Sequence, residues 1–420
     1  MKHLIFPLCI FVLCGACSTL QHTPGKDIDP LKAILHAHSP EFDSILSHPE
    51  QYEVQIIYTR IDRDAAQRPH FTSFYHNTDS ARYFYPASMV KMPLALLALE
   101  QINHLRASGE NLDRDTPYAL DSVRAYQQQY KSDASAPGGK PSLAQDIRQI
   151  FTVSDNLAYN HLFEFLGRAH INETLRKKGY NHTGIVHRFN YPGRDNRYAS
   201  PMAFFSPADG SVLYRIPERF DSIIWQNPQY GTTKGIGYYN AKDSLVRTPF
   251  DLSGKNWFAL TDMEKMLRAV LFPEAMPPQL RFDLNPADYR FLWHYMGIFP
   301  RECDYPRYDS TYYDGYAKFL LFGDSRAQYE GSVRSFNKIG EAYGTLTDVA
   351  YIVDFKNKVE FVLAATILCN SDGIFNDDRY DYDRVGVPFL ARLGRAVYEY
   401  ELGRKRAVEP DLGRFYEALK

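Results

Sequence analysis

The chain has 420 residues, 45% hydrophobic and 15% aromatic, enough to bury a sizeable core in one large domain or two. Its 48 basic and 50 acidic residues leave a formal net charge of -2, which excludes the basic footprint of a nucleic-acid binder and a long acidic tail. Selectivity must therefore reside in a site and not in bulk charge.

At the N-terminus, Lys2 and His3 precede an apolar run from Leu4 to Leu13, too short to span a bilayer as a mature helix, and Gly15 and Ala16 then supply small residues before Cys17. This is the pattern of an export signal. With a cysteine directly after the small pair, residues 1–16 resemble a bacterial lipoprotein signal, cleaved before Cys17 with lipid placed on its sulfur. The plainer alternative is an ordinary cleaved signal with an incidental cysteine. Either way the expected location is the cell envelope, with membrane contact through Cys17 on the first reading. Residues 17–45 begin polar, with Pro24, Gly25 and Pro30, and read as a tether. Cys9, Cys14 and Cys17 lie in or beside the signal, leaving Cys303 and Cys369, whose spacing permits a disulfide without requiring one. No Cys/His cluster has metal-ligand spacing, His182 and His187 read as loop or packing residues, and neither metal nor other cofactor is expected.

From Tyr52, the run Tyr-Glu-Val-Gln-Ile-Ile-Tyr-Thr predicts a strand, with Phe71 to Tyr75 as its hairpin partner. Val90 to Asn103 is apolar on nearly every face, as a helix in the middle of a domain should be, and Pro93 is tolerable there in the first turns. A second helix is predicted to start at Ser154 or Asp155, both good caps, and to run to Gly167. Residues 202–255 are dense in Pro, Gly, Tyr and Asn, including Tyr238 and Tyr239, and read as a long insertion with little regular structure. Ser332 to Lys338, Val349 to Phe355 and Val359 to Leu368 predict three strands. Val387, Leu390, Leu393, Val397 and Tyr400 recur at helical spacing. Strands at both ends with helices between predict an α+β fold, one antiparallel sheet flanked by helices with an all-helical subregion. The expected catalytic domain spans 46–405, followed by a tail at 406–420.

Three short motifs occur in order: Ser88-Met89-Val90-Lys91, Ser154-Asp155-Asn156 and Lys338-Ile339-Gly340. Ser88 falls at the start of the apolar helix, where unpaired N–H groups favour developing negative charge. Lys91, three positions on, lies on the same helical face and, if neutral, can act as the base that activates the hydroxyl. An isolated Ser-x-x-Lys is most often a cap and a solvated lysine, but this helix has no polar face to solvate one. A second Ser-x-x-Lys, Ser335 to Lys338, is a decoy, because residues three apart on a strand point to opposite faces. Ser154 supplies a hydroxyl for proton relay, Asn156 an amide for orienting Lys91 or substrate, Lys338 a cation on a strand edge that offers its charge to a substrate carboxylate, and Gly340 room for substrate beside the strand. The Ser88 and Glu341 N–H groups are the expected oxyanion hole.

On these motifs the chain resembles the class A β-lactamase-like branch of the serine β-lactamase and D-Ala-D-Ala peptidase superfamily. The resemblance covers roughly Tyr52 to Leu402, apart from the insertion. It implies Ser88 as the acylated nucleophile, Lys91 as its base, Ser154 and Asn156 as the second motif, and Lys338 and Gly340 as the third. It also implies a β-lactam or cell-wall peptide as substrate, and the expected state is a monomer that, from its net charge, binds no nucleic acid. Two positions depart from the family. Ile339 stands where a hydroxyl residue usually contacts the substrate carboxylate. Val186-His187-Arg188-Phe189-Asn190 resembles the entry to the family's Ω loop, with Asn190 at the deacylating glutamate's position. The loop returns through Pro192 and Gly193 to Ser200 and Pro201, and its one acid is Asp195. The functions implied are a β-lactam hydrolase of slow turnover or a penicillin-binding D,D-peptidase. A non-catalytic envelope protein binding peptide or glycan through the tyrosine-rich insertion is the alternative from another class.

Overall fold

A computed structural model describes residues 29–191 and 195–420. The signal, Cys17, the start of the tether and Pro192-Gly193 lie outside the described residues. One five-stranded antiparallel sheet organises the chain: β1 (Gln55–Arg63), β2 (Pro69–His76), β3 (Val333–Ala342), β4 (Thr345–Asp354) and β5 (Val359–Leu368), in spatial order β3-β4-β5-β1-β2. The N-terminal hairpin thus docks on a meander built almost 300 residues later. Every residue of β4 is buried, and its Val, Ile and Tyr residues read continuously because helices cover both faces of the sheet.

On one face lie the helices Pro30–Ala37, Ser39–Leu46 and Val387–Gly403, which bury Leu31, Phe42, Phe389, Leu390 and Leu393 against Ile56, Phe361 and Ile352. The tether expected over 17–45 therefore stops short of residue 30. Asp29 caps the first helix by accepting from Leu31 N, and the apolar spacing Leu31, Ile34, Leu35 gives it a side that must be buried. The expected tail at 406–420 is likewise part of the domain. Its helix Gly413–Ala418 places Phe415, fully buried, among Phe272, Trp293, Phe336 and Tyr351 on the opposite face.

That second face carries the helical subregion: Lys91–Ala107, Leu143–Thr152, Asn156–Leu166, Leu260–Leu271 and Pro286–Gly297. Lys91–Ala107 is buried on nearly every side through Leu99, with Pro93 in its first turn. Residues 202–255 are more ordered than their composition suggests. Met202–Phe205 pairs with Tyr118–Leu120 and with Val212–Ile216, and Thr233–Lys234 pairs with Phe250–Asp251. Gly237–Tyr239 pairs with Leu245–Val246 and runs parallel to Ile374–Phe375. Tyr238 packs on Phe250 at 5.0 Å. Cys303 and Cys369 are both buried and free. Among the described residues no helix is long and apolar enough to cross a membrane.

Candidate active site

Ser88 lies in a 3-10 turn, Ala87–Val90, that runs directly into the helix starting at Lys91. Ala87 before it has φ 46°, a left-handed conformation costly for a residue with a Cβ, and Ser154 has φ 62°. Asp155, not Ser154, caps the next helix, accepting from Ala158 N at 2.8 Å. Ser154 is left outside the helix, and both its carbonyl oxygen and its hydroxyl meet Lys91.

Lys91 is fully buried, and its Nζ donates to Ser154 O, to Asn156 Oδ1 at 2.7 Å and to Ser154 Oγ at 3.3 Å. Burial lowers its pKa to about 7, against the opposing pull of Asp155. When Lys91 is neutral, the carbonyl and amide oxygens take its two N–H groups, leaving the lone pair for a hydroxyl proton. The amine is thus held by the second motif instead of by Ser88. Phe189 lies beside it, with Nζ 5.4 Å from the ring centroid.

Lys338 is 2% exposed, and its Nζ donates to Ser154 Oγ at 2.8 Å and to Ile339 O at 2.8 Å. Its pKa is held well below the usual lysine range by burial and then by the neighbouring Lys91. Ser154 Oγ therefore bridges two amines, as a proton relay requires. The decoy separates as expected: Ser335 Oγ is buried without a partner, while Lys338 reaches across to the second motif. Gly340 has a role the sequence did not indicate. A Cβ there would stand 2.6 Å from Pro86 O, 3.0 Å from Met89 Cγ and 3.3 Å from Met89 N, so the bare backbone is what lets β3 lie against the turn that carries Ser88. Glu341 follows it at the sheet edge, and Ser88 and Glu341 line the same cleft.

This cleft encloses about 1090 Å³. Ser154, Asn156, Ile339 and Asn190 line it with Ser88, so the structure gathers all three motifs and Asn190 in one cleft. Asn190 is exposed, with φ 46°, and the loop before it is pinned by Asn160, which bonds both Phe189 O and Phe189 N. Arg188 makes a buried two-pronged pair with Glu164, at 2.7 and 2.9 Å. Asp195 is tied up by Arg197 at 2.7 and 2.8 Å, which holds its pKa down to about 2. It is not free to activate water. Among the described residues no group of three or more His, Cys, Asp or Glu is disposed to hold a metal.

Much of the cleft wall was not signalled by the motifs. Tyr313 and Tyr316 come from the loop before β3, and Tyr380, Tyr382 and Asp383 from the segment after β5. The insertion's tyrosines entered only as the binding surface of the non-catalytic alternative, yet these others reach the cleft. The density of Tyr and Asp at 305–316 and 372–383 is the signal that could have found them. Behind β3 lies another missed group. Lys318, 2% exposed, donates to Met296 O at 2.9 Å, Ser335 O at 2.7 Å and Asn337 Oδ1 at 3.0 Å. Asn337 in turn donates to the buried Asp348 at 2.8 Å, so the network fastens the tyrosine-bearing loop to the strand that carries Lys338.

The model of the β-lactamase enzyme family matches residues 47–280, which include the first two motifs and end before the third. No curated protein matches the chain. Among solved structures, an ancestral class A β-lactamase is similar at 18% identity and a TM-score of 0.47, covering 87% of this chain and 99% of that one. A β-lactamase from Sphaerobacter thermophilus is similar at 16% identity and a TM-score of 0.46, covering 91% and 98%. The structure of PBP-A is similar at 14% identity and a TM-score of 0.47, covering 88% and 94%. With more than half its length matched by the family model, this chain belongs to the β-lactamase enzyme family.

Proposed function

We propose that the chain is an exported serine acyl-enzyme hydrolase, anchored by lipid at Cys17, that opens amide bonds of the β-lactam type at Ser88 and releases the acyl group slowly. The observation that carries this reading is Ser154 Oγ held between Lys91 Nζ and Lys338 Nζ at the floor of the Ser88 cleft. Neutral Lys91 takes the Ser88 hydroxyl proton as Oγ attacks the carbonyl carbon. The Ser88 and Glu341 N–H groups receive the negative charge that develops on the carbonyl oxygen. As the C–N bond breaks, the proton passes from Lys91 through Ser154 Oγ to the departing nitrogen, leaving an ester on Ser88.

Hydrolysis of that ester needs a base for water, and the Ω-loop position offers an amide at Asn190. Slow release follows. Intact-mass spectrometry after exposure to benzylpenicillin should show one penicilloyl adduct, located on Ser88 and absent from Ser88→Ala. In Asn190→Glu the adduct should decay at least tenfold faster, since a positioned general base contributes about 10²–10⁴-fold. No adduct and no β-lactam hydrolysis would end this reading. A second reading, a D,D-peptidase acting on cell-wall peptides, is favoured by the same Asn190 and by Ile339. Release of D-alanine from a pentapeptide would distinguish it.

A further inference from the structure

We propose that Lys318, Asn337 and Asp348 are positioning residues for the reaction at Ser88: from behind β3 they hold Lys338 where it bonds Ser154, and so set the rate of acylation without touching substrate. The consequence for the reaction rests on the hydrolase reading above, whereas the placement of Lys338 does not.

β3 is an edge strand with β4 as its one neighbour in the sheet. Ile339, Glu341 and Ala342 line the cleft, so this end of the strand cannot be covered by a further strand and has to be fixed from elsewhere. Lys318 does this. Its Nζ donates to Ser335 O at 2.7 Å, to Asn337 Oδ1 at 3.0 Å and to Met296 O at 2.9 Å, in the helix Pro286–Gly297. Asn337 Nδ2 donates to Ala317 O at 2.9 Å and to Asp348 Oδ1 at 2.8 Å, and Leu320 N donates to Asp348 Oδ2 at 2.9 Å. Residues 317–320 are thus bonded to β3, to β4 and to a helix at once.

These bonds bracket Lys338. Asn337 precedes it, and Asp348 stands in register with Ile339, whose carbonyl accepts from Lys338 Nζ at 2.8 Å. Successive residues of a strand point to opposite faces, so Asn337 and Lys338 communicate through backbone. Lys318, Asn337 and Asp348 are absent from the cleft wall, while Ser154, which Lys338 bonds at 2.8 Å, lines it. A change in the network reaches Ser154 by moving the strand.

The arrangement is costly to keep for packing alone. All three residues are buried, and Lys318 meets Asp348 through Asn337. Burial works against both charges, lowering the Lys318 pKa to about 7 and raising that of Asp348 to about 6. Apolar side chains of like volume often fill such a site with no loss of stability. What they cannot supply is a directed hold on Ser335 O and on the Asn337 amide.

The test is Lys318→Met, which keeps the length of the side chain and removes its three bonds, with Asp348→Asn as the second variant should the first fail to fold. Penicilloylation of Ser88 in the full chain is followed by time-resolved intact-mass spectrometry across a range of benzylpenicillin concentrations. The limiting rate should fall at least tenfold, since a displacement approaching 1 Å at reacting groups costs about 10²-fold. The half-saturating concentration should stay within about twofold of the parent, and every molecule should still be labelled at long times. A purely structural part would instead lower the fraction labelled and leave the rate of the remainder unchanged, which would overturn the proposal. Crystal structures of the variants read the placement without turnover: Lys338 Nζ should stand beyond about 3.5 Å from Ser154 Oγ, outside hydrogen-bond reach. A contact kept at its parental length would overturn the proposal even if acylation slowed. Failure of benzylpenicillin to label Ser88 in the parent would overturn the hydrolase reading, and the displacement of Lys338 would still decide the positioning.

Discussion

Gly340→Ala tests whether the close approach of β3 to the turn that carries Ser88 is what assembles the site. The new Cβ would lie 2.6 Å from Pro86 O, whereas carbon–oxygen contacts begin near about 3.3 Å, so the strand and turn must part by about 0.7 Å. Gly340 is paired with Thr347 and the strand is fastened by Asn337 to Asp348, so the displacement falls largely on the turn carrying Ser88. A shift approaching 1 Å at reacting groups costs about 10²-fold, and overpacking costs about 1–3 kcal/mol of stability. The expected result is penicilloylation slowed about 10- to 100-fold, followed by time-resolved intact-mass spectrometry, with a lowered denaturation midpoint. A variant that acylates at the parent rate would refute the packing argument, whatever its stability.

The pH dependence of acylation should follow Lys91. Its folded pKa is lowered to about 7, so the neutral, proton-accepting form grows as pH rises, and the acylation rate should climb from pH 5.5 to 8.5 with its half-point near 7. Because Lys338 is its electrostatic neighbour, that half-point belongs to the pair. A rate flat across this range would exclude Lys91 as base. The sign for stability is consistent: a lysine with depressed folded pKa penalises folding below about pH 7, and the penalty fades toward the unfolded lysine value near about 10.4. Phe415→Ala should cost about 3–5 kcal/mol in urea unfolding, since the ring is fully buried among four aromatic neighbours. A loss under about 1 kcal/mol, the scale of ordinary surface substitutions, would show the C-terminal helix to be peripheral.

The sheet and the meeting of the three motifs at the cleft floor were legible because each rests on local periodicity or on a motif of fixed spacing. Val359 to Leu368 reads as a buried strand and is one, and Ser88 to Lys91 reads as a turn entering a buried helix and is one. Pro30–Leu46 and Gly413–Ala418 were misjudged for a common reason. Short amphipathic helices beside polar, Pro-containing sequence carry too little local signal, and only the exposed sheet face or aromatic pocket they fill reveals their place. Gly340 was assigned to substrate approach because a strand glycine signals a close contact without naming the partner. The tyrosine-acid wall was missed because its members come from segments about 60 residues apart, which no spacing rule connects.

The strand order also imposes a timetable on synthesis. The hairpin that precedes Ser88 leaves β1 with an unpaired side until β5 emerges, and Ser154 lies 184 positions before the lysine that hydrogen-bonds it. A nascent or truncated chain would hold Ser88 and Lys91 without the strand that closes the site over them, and would expose a sticky edge. The Ser154–Lys338 contact is thereby withheld from the growing polypeptide and made only on completion of the sheet.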